Sequence, residues 1–168
     1  MSPFKPARIP PEPEVRARLR EAQPNAAVFS HLSESPNVES RAAVAVHPHL
    51  FVAGLDAAHR LVNDPVSAVR AALAMNPRLT PAVAMQLADD ADWRTRCIIA
   101  GRADTHPAIL SRLARDHESL VRLQVAEHPR LPAEARARLV RDPQPAVREV
   151  ASVRRLSRGR DAGDDLER

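Results

Sequence analysis

The sequence predicts an all-α fold, a short solenoid of about five units that repeat every 26 residues. Three observations carry this. Leu61, Leu87, Leu113 and Leu139 are each 26 residues apart, as are Asp64, Asp90, Asp116 and Asp142, and Arg70, Arg96, Arg122 and Arg148. The apolar residues are almost wholly Ala, Val, Leu and Ile, with three Phe, one Trp and no Tyr, so helices can approach closely while burying little area per residue. Only four glycines are present, too few for a hairpin-rich sheet.

In register, the units are LSESPNVESRAAVAVHPHL from Leu32, LVNDPVSAVRAALAMNPRL from Leu61 and LADDADWRTRCIIAGRADT from Leu87, then LARDHESLVRLQVAEHPRL from Leu113 and LVRDPQPAVREVASV from Leu139. The first unit is three residues longer, with Ser35 and Arg41 at the Asp and Arg places. Three of the units begin with a capping residue and Pro: Ser35-Pro36, Asp64-Pro65 and Asp142-Pro143 predict an N-cap with Pro at the first helical position. A helix of about ten residues follows. Val69 and Leu73, Thr95 and Ile99, and Val121 and Val125 lie at i, i+4 on one face, beside Ala74, Ala100 and Ala126. His47-Pro48, Asn76-Pro77 and His128-Pro129 stop it, because the residue before Pro is pushed out of the α region. A shorter helical piece restarts at Pro81, Pro107 or Pro132. Helix, punctuated turn and short helix, repeated, is an α-solenoid.

The Asp column, the Arg six residues on after an apolar residue, and the Ala-rich helix together resemble the HEAT repeat. With the "MNPRLTP" and "EHPRLP" punctuation and the "LARD" and "LVRD" joins, the chain more closely resembles the leucine-rich repeat variant family over residues 32–152. That resemblance implies alternating α and 3₁₀ helices in a right-handed superhelix. The units here are slightly longer than that family's, and Ala103 stands where other units have Pro. Some members carry an iron–sulphur cysteine cluster ahead of the repeats. No cysteine precedes the repeats here, so no cofactor is expected.

The flanks differ from the body. Residues 1–13 hold five prolines and predict an extended, flexible segment. Residues 14–31, with Val15, Leu19, Val28 and Phe29, read as a degenerate capping unit. The solenoid is expected over 32–156 and a disordered charged tail over 157–168.

Net charge is +4, distributed as +2 over residues 1–30, +1 over 31–152 and +1 over 153–168. The repeat body is therefore nearly neutral, without the concentrated basic stripe of a phosphate-gripping domain. Cys97, the single cysteine, excludes an internal disulfide and a cysteine metal cluster. No signal peptide or apolar run of about 20 residues is present, so no membrane role and a cytoplasmic location are expected.

The candidate binding residues are Trp93, the column Arg41, Arg70, Arg96, Arg122 and Arg148, and the third unit's Arg102 and His106. The arginines form either a row for anions and acidic peptides or a ladder bridging to the aspartates; matched numbers in the two columns favour the ladder. Trp93 is either an exposed binding anchor or a cover for a neighbouring helix end. His47 and His128 share a place with Asn76 and Arg102, which suggests a helix-end cap rather than metal chemistry. Cys97 reads as a packed small hydrophobe. No nucleophile elbow or Gly-rich phosphate loop appears, so no catalytic residue is expected. The expectation is a non-catalytic protein–protein interaction scaffold of unknown partner. The alternative is a nucleic-acid-binding HEAT-like solenoid, for DNA binding or base repair, against which stand the neutral body and the scarcity of aromatics. An accessory or lyase-like role towards a cofactor-bearing protein, seen among some HEAT-like proteins, has no specific residue behind it.

Overall fold

In a computed structural model, residues 26–161 are described throughout, with Pro13, Val15, Ala17 and Leu19 ahead of them and side chains described as far as Val153. The expectations for most of residues 1–25 and for 162–168 lie outside the described residues. Among those described, every regular element is an α-helix and none is a strand. The helices are α1 (Ala26–Ser33), α2 (Val38–Ala45), α3 (Leu50–Ala53), α4 (Leu55–Leu61), α5 (Ser67–Ala74), α6 (Pro81–Leu87), α7 (Trp93–Gly101), α8 (Pro107–Leu113), α9 (Ser119–Ala126), α10 (Ala133–Leu139) and α11 (Pro145–Asp161). The longer helices α5, α7, α9 and α11 begin 26 residues apart, as do the short helices α6, α8 and α10. This repeated arrangement is that of an α-solenoid. None of the described helices is long and apolar enough to cross a membrane.

The chain divides into two compact units, Met1–Ile99 and Ala100–Arg168. In the first, α2 packs on α1 and α5; in the second, α9 packs on α11. The apolar columns meet at these contacts. Val69, Leu73, Ala74, Ile99, Ala100, Val121, Val125 and Ala126 are all fully buried. Small residues suit this seam because two helix backbones approach each other there, and an added methylene in a close-packed interior would force both apart.

Three local expectations change. The aspartate is not the N-cap. Helix α5 starts at Ser67 after Val66, and Asp64 sits two residues earlier, its Oδ1 accepting from Val66 N at 2.9 Å. Asp142 holds Gln144 N in the same way at 2.9 Å. This turn comes before the helix and fixes its entry. Side-chain capping is found at α2, where Asn37 accepts from Glu39 N, and at the short helices, where Thr80 and His106 accept from Val83 N and Ala108 N ahead of Pro81 and Pro107. Second, the short helices are α and not the 3₁₀ that the resemblance implies. Ala84 N donates to Thr80 O and Ala88 N to Ala84 O, four residues back; tighter three-residue bonds occur only at their ends, as from Asp89 N to Gln86 O. Third, α11 continues to Asp161, past the boundary expected at 156.

The longer first unit places its extra residues in a split helix. The chain turns between α3 and α4 at Gly54, where an added Cβ would lie 2.8 Å from Phe29 Cβ. Phe29 itself is fully buried, so the one large aromatic of this core is accommodated by the missing side chain of Gly54. Val15 is also buried.

Candidate functional site

The arginine column is a ladder. In the first unit Arg41 Nε donates to Asp64 Oδ2 at 2.6 Å and Nη2 to Oδ1 at 3.1 Å. Arg70 repeats the two-pronged pair on Asp90 at 2.7 and 2.8 Å. In the second unit Arg122 holds Asp142 at 2.7 and 2.9 Å. The third amine, Nη1, reaches back to the carbonyl six residues earlier in every member: Ser35, Asp64, Asp90, Asp116 and Asp142, at 2.7 to 2.8 Å. Each of these arginines therefore closes its own entry turn, and Arg41, Arg70 and Arg122 also clamp the aspartate of the following repeat. The bonds are short because both partners are charged and the planar fork matches a carboxylate. The aspartate side chains of these three pairs are 3 to 5% exposed. The hydrogen bond from Arg122, against the penalty of burial, holds the Asp142 carboxyl below its ordinary range, and the Arg41, Arg70 and Arg122 guanidiniums are correspondingly raised. Arg96 is buried, with Nη1 on Asp90 O.

A second polar seam runs at the opposite end of the longer helices. Asn76, fully buried, donates Nδ2 to Ala45 O at 2.7 Å and His47 O at 2.9 Å, while its Oδ1 accepts from Arg78 N. In the second unit His128 Nε2 donates to Arg102 O at 2.8 Å and Nδ1 accepts from Arg130 N at 3.0 Å, which fixes the ring tautomer. The sequence reading foresaw a cap here but not the donation to the preceding repeat. The available signal was that Asn and His each offer a donor and an acceptor at once. Burial, and then the neighbouring His49, push the His47 imidazole below its ordinary range.

The third repeat departs from this pattern. Arg102 forks onto Asp104 at 3.0 and 2.9 Å, and this bond holds the exposed Asp104 carboxyl below its usual range. His106 is exposed and caps α8. Trp93 is half-buried at the start of α7, with the Arg94 guanidinium 4.8 Å from the centre of its ring. Sibling places hold Val38, Ser67, Ser119 and Pro145. Cys97 is half-buried. Among the described residues no group of three or more His, Cys, Asp or Glu is placed to hold a metal. The structure therefore gathers the arginines of each unit along a seam.

Residues 120–144 match the family model of the leucine rich repeat variant. No curated protein and no solved structure matches the chain. The matched stretch contains Arg122, Asp142 and His128, one representative of each seam, on α9 and α10 and the turns beside them. This stretch is similar to the leucine rich repeat variant, and the same helix order recurs in the units around it.

Proposed function

We propose that the chain is a non-catalytic protein-interaction scaffold. The observation that carries this reading is the Trp93–Arg94 pair. It stands half-buried and stacked at a helix start where sibling repeats place Val, Ser or Pro, on a framework whose Arg41, Arg70 and Arg122 are already engaged with aspartates. Trp presents a large rigid surface at low entropic cost and is over-represented among residues that dominate binding. A framework of fixed seams with variable surface places is how repeat proteins bind partners.

The test is affinity capture with the full chain and with Trp93→Ser, which installs the sibling residue. Loss of a truncated anchor costs about 2 kcal/mol or more, so a partner recovered by the wild type should bind at least tenfold more weakly to the variant. Equal capture by both, or capture only of nucleic acid that disappears with salt, overturns the proposal.

A further inference from the structure

The ladder is open at one end. Arg148 is built like its siblings, with Nη1 donating to Asp142 O at 2.7 Å and Pro143 O at 2.9 Å. Arg41, Arg70 and Arg122 each turn their remaining Nε and Nη2 to an aspartate 20 to 23 residues further on. Among the described residues, no carboxylate meets those two atoms of Arg148, which is half-buried. Twenty-six residues after Asp142 the aspartate place is held by Arg168.

A second difference lies beside it. The residue four after the ladder arginine is Ala45, Ala74, Ala100 or Ala126 in the inner repeats, each fully buried. In the last repeat that place is Ser152, exposed, its hydroxyl donating to Arg148 O at 2.7 Å. The terminal face thus keeps the carboxylate fork but exchanges the apolar packing place for a polar one.

We propose that Arg148 and the face beside it form a docking site for an acidic peptide that presents an aspartate in the turn the inner repeats use. The ligand chemistry comes from the siblings. In each engaged pair the carboxylate accepts Nε and Nη2 of the arginine while its Oδ1 also takes the N–H two residues on, as in Asp64 with Val66 and Asp142 with Gln144. A peptide with Asp followed by Pro reproduces that turn and offers a preformed partner for the fork. Two other occupants fit less well. A second copy stacked head to tail would bring Ser35, not an aspartate, to the fork. The chain's own Asp164 and Asp165 follow a helix that runs from Pro145 to Asp161, about 24 Å at 1.5 Å per residue. The four residues from Asp161 to Asp165 span at most about 14 Å back towards the carbonyls that hold Arg148. The two proposals rest on different residues, and either can fail without the other.

The probe is a synthetic peptide copying residues 61–68, fluorescently labelled and titrated with the full chain at low and high salt. The expected result is saturable binding that weakens with salt and drops roughly tenfold or more when the peptide's Asp64 place is Asn, or when the protein carries Arg148→Lys. The substituted lysine retains a donor for Asp142 O but loses the fork, and thermal melting confirms that this variant stays folded. Trp93→Ser should leave the affinity unchanged. Equal binding of the Asp and Asn peptides, equal binding by Arg148→Lys, or no binding by the wild type overturns the proposal. Binding that emerges only when Asp164, Asp165 and Glu167 are neutralised together assigns the fork to the chain's own tail. A concentration-dependent dimer lost in Arg148→Lys assigns it to a second copy. Either of those results also overturns the acidic-peptide site.

Discussion

Within each compact unit, neighbouring repeats are joined by an ionic seam at the start of a longer helix and by a neutral one at its end. Arg70 forks onto Asp90 in the first, and Asn76 donates to the carbonyls of Ala45 and His47 in the second. Both satisfy backbone carbonyls of loops that Pro punctuation would otherwise leave open. They differ in how they fail. Losing half of the ionic seam strands a buried charge, whereas losing the neutral seam strands only carbonyls and an N–H. The ionic seam is thus the more costly to break singly and the easier to replace as a pair.

The largest expected effect is therefore Arg70→Ala. It leaves Asp90, with its side chain 3% exposed, without its cation, and should cost about 3 kcal/mol in urea unfolding. Combining Arg70→Met with Asp90→Asn, which keeps an acceptor for Asp92 N, should cost clearly less than the two single changes added together. Strict additivity would mean that the fork contributes no coupling. Next comes Asn76→Leu in the neutral seam, expected to cost about 2 kcal/mol in the same assay, with Asn76→His costing less because His128 already fills that place in the second unit. If Asn76→Leu proves worse than Arg70→Ala, the ranking of the seams is reversed.

Thr95 lies in neither seam. Its hydroxyl is fully buried without a hydrogen-bond partner, in a column that holds Ser40 in the first repeat and Val69, Val121 and Val147 in the others. Thr95→Val should raise stability by about 1 kcal/mol, measured as a higher denaturant midpoint at unchanged slope. The smallest effect concerns pH. The folded His47 has a lowered pKa, so below the unfolded value of about 6.5 the unfolded chain binds more protons and stability falls as pH drops. Melts at pH 7.5 and 5.5 should differ more for the wild type than for His47→Asn, which carries the sibling residue of Asn76.

The helices, their spacing and the ladder were legible in the sequence because each rests on a column. An apolar pair four residues apart, an Asp and an Arg recur where neighbours impose the same surroundings. What the columns did not reveal was where each polar atom reaches. Asp64 next to Pro65 suggests an N-cap in isolation; its two-residue turn becomes visible only once Arg70 takes its carbonyl and Arg41 its carboxylate. The cross-repeat reach of Asn76 was hidden because it depends on how closely the preceding repeat packs. The split at Gly54 depends on Phe29, a side chain from outside the repeat pattern. Trp93 was found by its departure from its siblings, and the structure adds Arg94 over its ring.

The two ends of the ladder also bear on how such a chain can change length. Every full repeat from Asp64 onward has one aspartate and one arginine in these columns, and Asp64, Asp90 and Asp142 each answer the arginine of the repeat before. In sequence the series runs from Ser35, whose hydroxyl accepts from Asn37 N, to Arg148. Duplicating or deleting a whole repeat therefore leaves the surplus at a single positive charge and every internal partner in place. Cutting within a repeat strands a group. Selection acting on the number of repeats would find whole-unit steps electrostatically silent, and the one charge at the terminus would persist through all of them.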